Sequence, residues 1–146
     1  MNAKEIWHLF KAKNNIEENH YSAWAFGGSP DLLAELVRTG EKTATASAYP
    51  LYEIAREPLP EIGSYHIILN AIDEAVCIIQ TTNVYVIPFN KVSETHAFKE
   101  GEGDKSLAHW RKVHTDFFTA CLGESNLLFT ENMNVVCEEF KVVFKL

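Results

Sequence analysis

The chain has 146 residues, 47% of them hydrophobic and 23% charged, with a net charge of −7 from 13 Lys+Arg against 20 Asp+Glu. A chain of this length buries about two-thirds of its open-chain surface on folding, enough for one core without a metal or disulfide staple. This excludes disorder, a fibre and a disulfide scaffold, and predicts a single domain, 1–146. The acidic balance excludes a protein that tracks phosphates over its whole surface, but a pocket for one nucleotide needs only a few residues and stays open.

Cys77, Cys121 and Cys137 are odd in number and widely spaced, the pattern of free thiols in a reducing compartment. The first residues are too polar for a signal peptide, and no apolar run approaches the roughly 18 residues of a membrane span. A cytoplasmic location without a membrane partner is the expectation.

In chain order, Asn2 and Glu5 make a capping pair for a helix whose apolar side is Ile6, Trp7, Leu9 and Phe10. A looser stretch, 14–28, follows and carries Tyr21, Trp24 and Phe26. Ser29, Pro30 and Asp31 start a second helix over 30–39, striped by Leu32, Leu33, Leu36 and Val37, with Gly40 at the left-handed position after it. The period then changes to two. Strands are predicted at 43–49, 65–69, 75–79 and 82–87, with Pro58, Pro60 and Gly63 as breaks and Pro88 as a stop. Asp104 or Ser106 caps a third helix over 106–121, ended by Gly123. The last strand, 134–144, places Val136, Phe140, Val142 and Phe144 on one face and Glu139 and Lys141 on the other. Helices and strands are partly segregated, so the fold class is α+β: an open barrel of five or six mostly antiparallel strands with helices around it.

Three segments hold residues that chemistry can use. In Gly40–Ser47, Lys42 and Thr45 would face opposite ways on a regular strand, and converge only if the turn after Gly40 persists through Lys42. A lysine in a partly dry pocket can take a proton from a neighbouring threonine, which then acts as nucleophile; the plain alternative is a solvated lysine beside strand-forming threonines. Glu100, Glu102 and Asp104 alternate with glycines, suiting a cation or an acid–base pair, or else a solvated cap before a helix. His109 and His114 lie five apart, which excludes the zinc-helix spacing, and no metal or cofactor is predicted. Arg111 is free to meet the acidic loop, a phosphate or a base, while Trp110 falls on the apolar stripe. Trp24 and Phe26 are either core or a stacking platform for a planar ligand.

Together, Trp24-Ala25-Phe26-Gly27, Gly40-Glu41-Lys42-Thr43-Ala44-Thr45, Pro60 to Tyr65, Pro88-Phe89, Phe98 to Asp104 and Leu107-x-x-Trp110-Arg111 resemble the ASCH domain family, related to the PUA-like RNA-binding barrels. The resemblance covers about 22–144, leaving 1–21 as an N-terminal helical extension to an ASCH-like core, 22–146. It implies an open β-barrel around a cleft. Some small bacterial members are amidohydrolases of N(4)-acetylcytidine that use a lysine, a threonine and a glutamate. The Gly-x-Lys-x-x-Thr match sets these on Lys42 and Thr45, and His96-Ala97-x-x-Glu100 sets the glutamate on Glu100. The residue types of Trp24, Phe26, Tyr65 and Arg111 suit substrate binding. The implied partner is a nucleoside or nucleotide-like molecule. Two other functions stay open: a noncatalytic module for a nucleotide or single-stranded RNA, and a ribonuclease using Lys42 and Glu100. The N-terminal extension and the Glu-Gly-Glu-Gly-Asp loop depart from the minimal hydrolases and mark a different branch of the family. Sequence leaves the oligomeric state open.

Overall fold

A computed structural model describes residues 1–146. The first helix, α1, runs Ala3–Asn14 and closes with the predicted capping box: the Asn2 side chain accepts from the Glu5 amide at 2.9 Å, and the Glu5 carboxylate accepts from the Asn2 amide at 2.9 Å. The stretch read as loop contains a strand, β1 (Ser22–Ala25), so Trp24 sits on the sheet. Too short and too exposed to alternate clearly, β1 gains its order from parallel pairing with a later strand.

Helix α2 (Pro30–Arg38) begins at Ser29 as expected, although the serine side chain makes no capping bond. Gly40 takes φ +85°, the left-handed conformation glycine adopts without penalty. The turn persists through Lys42, whose amide donates to the Leu36 carbonyl at 2.9 Å, tying the segment back under the helix. Strand β2 (Ala44–Ala48) follows, then a short helix, α3 (Tyr49–Ala55), that no sequence signal announced.

Strand β3 (Tyr65–Leu69) falls where predicted. The two strands expected next are one, β4 (Ala75–Pro88), continuous through irregularities at Ile78/Ile79 and Thr81/Asn83. The acidic stretch read as loop is a helix, α4 (Glu94–Glu100), capped by Ser93. Gly101 ends it at φ +70°, where any Cβ would collide with the Glu41 carbonyl. Helix α5 (Leu107–Gly123) is capped by Ser106, and β5 spans Asn134–Lys145.

The five strands form one curled sheet, an open half-barrel in the order β1-β3-β4-β5-β2, antiparallel except for β1 beside β3. Neighbouring residues of β3 point to opposite faces. Ile67 packs with Ile6, Trp7 and Phe10 of α1, while Ile68 packs with Phe26, Ala34 and Val37 on the α2 side. A third core joins Trp110, Phe118 and Leu122 of α5 to Phe89, Val135 and Cys137. Phe144 departs from its predicted face: it meets Phe10 of α1, whereas Val142 packs on the α2 side. No helix is long and apolar enough to cross a membrane.

Candidate active site

The Gly40 turn aims the Lys42 side chain inward. Lys42 is 1% exposed, so the reading of a solvated lysine falls. Its Nζ donates to Glu100 Oε1 at 3.2 Å and to Glu102 Oε2 at 2.9 Å, with the Glu100 carbonyl at 3.4 Å. The backbone holds the two segments together: the Thr43 amide donates to the Lys99 carbonyl at 2.7 Å, and the Phe140 amide to the Thr43 carbonyl at 3.0 Å. The site is therefore stitched to the end of α4 and to β5 before any side chain is considered.

Glu100 is also 1% exposed, which corrects the reading of the acidic segment as a solvated cap; only Asp104 serves that way, accepting from the Ser106 amide at 2.9 Å. Glu100 Oε2 accepts from His96 Nε2 at 2.7 Å and from Trp110 Nε1 at 2.5 Å, and His114 Nε2 lies 3.4 Å from Oε1. Burial by itself raises a carboxyl, but the Lys42 charge and the bonds from His114 and His96 overcome it and hold Glu100 well below the usual range. Burial opposes the charged form of His114, yet the hydrogen bond and charge of Glu100 leave its imidazole raised. His114 Nδ1 faces the Trp110 carbonyl at 2.9 Å, which only accepts, so that nitrogen carries a proton. His114 also stacks on Trp110, ring centroids 4.2 Å apart.

Glu100, Glu102 and His114 offer ligand atoms within 4.8 Å of one another, the grouping best placed to hold a cation. The Lys42 amino group already bridges the two carboxylates, so a metal would have to displace it. The donor set fits a lysine better than a metal.

Beyond Lys42 lies an aromatic wall. Phe26 is a core residue, buried with Ala34, Val37 and Ile68, and its ring is 5.3 Å from Lys42 Nζ; the half-buried Trp24 meets it edge to face at 4.8 Å. Trp24 Nε1 donates to His66 Nδ1 at 3.2 Å. Thr45 is half-buried on β2, directly opposite Glu138 of β5, and directly opposed residues of an antiparallel pair share a face. Its hydroxyl makes no hydrogen bond within the protein, to Lys42 or otherwise. Lys42, Glu100, Trp24 and Phe26 are thus linked by direct contacts, while Thr45, three residues on from Lys42, makes no hydrogen bond to any of them.

The other two predicted residues lie apart. Tyr65 points to the α1 face, its ring 5.4 Å from Trp7 and 5.5 Å from Phe10, because it is one residue away from His66, which meets Trp24 and Glu138 on the other face. Arg111 donates to the Asn90 carbonyl at 3.3 Å and has its Nε buried without a partner; it occupies a different side of α5 from Trp110 and His114.

His96, Trp110 and His114 hold Glu100 but were not predicted for that role. Their signal was present as i, i+4 spacing within each helix, which puts His96 with Glu100 and Trp110 with His114 on common faces. Reading the acidic segment as a loop before the next helix hid the first pair, and weighing His114 only against His109 hid the second.

A PUA-like open barrel with a buried lysine–carboxylate cluster where the turn before β2 meets the end of α4 is the class that fold and site define. Residues 22–144 match the family model of the ASCH domain, and the chain belongs to that family. It is 32% identical to an ASCH domain from Lactobacillus crispatus, with 97% of this chain and 93% of that one covered and a TM-score of 0.92. Protein EF3133 from Enterococcus faecalis is 36% identical over 99% of this chain and 89% of its own, also at TM-score 0.92. An ASCH protein from Zymomonas mobilis shares the fold alone, at 11% identity, TM-score 0.50, and coverage of 83% and 66%. No curated protein matches the chain.

Proposed function

We propose that the protein is a hydrolase of an acylated nucleoside-type amide, with Thr45 as nucleophile and Lys42 and Glu100 as the groups that move protons. The observation that carries this reading is the Lys42–Glu100 pair, both residues 1% exposed. Burying two charges costs several kcal/mol per ion, of order of magnitude, and their attraction repays it only with additional hydrogen bonds. Apolar side chains would fill the space as well or better, so packing does not account for the pair, whereas acid–base chemistry does.

In this reading the acyl amide sits over Thr45 with its base against the aromatic wall. When substrate enters and draws Lys42 away from its two carboxylates, the ammonium gives its proton to solvent and, as an amine, takes the hydroxyl proton while Thr45 Oγ attacks the acyl carbon. The C–N bond breaks as the leaving nitrogen takes a proton back. Water then attacks the threonyl ester, releasing the acid and restoring the hydroxyl. Because Lys42 and Thr45 are not hydrogen-bonded without substrate, the flexible lysine stem must swing toward the threonine when substrate enters.

The test is chromatography of N(4)-acetylcytidine and longer N(4)-acylcytidines incubated with the protein. Cytidine should accumulate, and Lys42→Ala and Thr45→Ala should each slow it at least about 100-fold, the usual scale of a lost acid–base group. Full activity in both variants would overturn the mechanism. A second reading, a noncatalytic nucleotide-binding module, is favoured by one observation: the Lys42 amino group is already engaged by two carboxylates. It predicts ligand binding with no turnover of any acylcytidine. The acidic balance of the chain favours a nucleoside-sized ligand over a long RNA in either case.

A further inference from the structure

A second buried polar group lies outside the lysine cluster and is linked to it through Trp24 and Phe26. Glu138 is 6% exposed on β5. Its Oε2 accepts from the Thr81 hydroxyl at 2.7 Å and lies 3.5 Å from His66 Nε2. Its Oε1 takes no hydrogen bond from the protein, yet it is not sealed in, since the Arg111 Nε alone is fully buried without a partner. The carboxylate therefore has one oxygen satisfied by Thr81 and one that is free of protein partners and not sealed from solvent.

The surrounding groups hold that orientation. Indole N–H only donates, so His66 Nδ1 must accept from Trp24, which leaves the imidazole proton on Nε2. That Nε2–H faces the Ser64 hydroxyl at 3.1 Å and Glu138 Oε2. Ser64 in turn donates to the Glu61 carbonyl at 2.6 Å. On the far side, α3 presents Tyr52, whose hydroxyl lies 2.9 Å from Ser47 on β2. Burial raises the Glu138 carboxyl and lowers His66, so the group is kept against a desolvation cost, and only one of its two acceptors has a partner. Trp24 joins the halves: its edge meets Phe26, which lies beside Lys42, and its N–H fixes His66 beside Glu138.

We propose that Glu138 is a ligand-recognition residue whose free Oε1 accepts an N–H from the edge of a flat, neutral heterocycle seated against the half-buried Trp24. This rests on reading the cleft as a nucleoside-sized site, and names the feature of the ligand that the cleft reads. A carboxylate acceptor at that point admits an amino-bearing edge and rejects a carbonyl-bearing one, whose oxygen would face an oxygen.

Cytidine and uridine differ at the ring in this respect, an amino group replacing a carbonyl, and serve as the probes. Titration calorimetry on the full chain, carrying Thr45→Ala so that hydrolysis plays no part, should give cytidine an affinity about tenfold or more above uridine, the worth of one hydrogen bond to a charged group. Glu138→Gln keeps the shape, turns its oxygen to the Thr81 hydroxyl and its NH₂ to the ligand, and should erase or invert the preference. Glu138→Asp withdraws the oxygen by one methylene and should weaken cytidine while leaving uridine unchanged. A preference for cytidine that survives Glu138→Gln overturns the proposal, and so does a wild-type cleft that binds neither nucleoside or does not discriminate. The outcome is separable from that of the hydrolase reading. Cytidine selectivity lost in Glu138→Gln with no turnover of acylcytidines keeps this assignment and removes the enzyme. Turnover with selectivity untouched by Glu138→Gln does the reverse.

Discussion

The sheet is covered in two places by the same means, a helix over a strand, but the two interfaces are filled differently. Beneath α1, Trp7, Phe10, Tyr21, Tyr65 and Phe144 pack ring on ring with centroids 4.9–5.7 Å apart. Removal of apolar area from water accounts for each of these residues. Beneath the α2–β2 turn, the same depth of burial holds Lys42, Glu100, His96 and His114. Every polar atom there needs a specific partner, and the arrangement forfeits stability that leucines would have supplied. Folding alone explains the first region; the second is the one that the proposed function assigns to a ligand.

The largest expected effect probes the first region. Trp7→Ala should cost about 3–5 kcal/mol of unfolding free energy by denaturant titration, while the protein that remains folded keeps its ligand affinity. A loss of affinity in that folded fraction would blur the contrast.

Next in size is the charged cluster. Glu100→Ala should cost about 3 kcal/mol, because it strands Lys42 in a dry site. Replacing both charges in Lys42→Met/Glu100→Gln should restore most of that loss, since the Gln amide still serves the His96 and Trp110 donors. If the double variant is as unstable as the single one, the pair is structural after all.

Protonation sharpens the contrast further. Glu100 is held below its ordinary range, so its contribution is present above about pH 4.5 and is lost as pH falls through the lowered value. His114 is raised, so its contribution is complete below about pH 6.5 and is lost as pH rises through the raised value. Thermal melts should therefore show the cluster at its most stabilising between those limits, declining on both sides, and Glu100→Gln should flatten the profile. The α1 interface, which holds no such pair, should leave the profile of Trp7→Ala parallel to that of the wild type.

The smallest effect concerns Glu138, raised by burial. Its ionised form opposes folding above its ordinary range, so Glu138→Gln should stabilise the protein by about 1 kcal/mol at pH 7, within the range of single stabilising changes. The gain should vanish as pH falls toward about 4. Stabilisation accompanied by lost ligand selectivity would mark a residue kept for binding.

What the sequence made legible follows from how local each signal was. The strong stripe and left-handed glycine of α2, the capped periodic run of α5 and the β-branched runs of β3 and β5 depend on neighbours in sequence, and they appear where expected. The strand β1 depends on a partner more than 40 residues away, and α4 was masked by the glycines that follow it. Lys42 and Glu100 were identified by resemblance, but their burial was not legible, because it arises when the Gly40 turn meets the end of α4. Glu138 was passed over even though it lies on the same strand face as Val136: a carboxylate at a core position reads as a strand edge until Thr81 and His66 are seen to hold it.

The most direct measurement is turnover of N(4)-acetylcytidine by the wild type and by Lys42→Met/Glu100→Gln, each first shown by thermal melting to be folded. A cluster buried for chemistry predicts cytidine release by the wild type and none by a double variant of near-equal stability. Equal turnover in both, or none in either, would contradict it.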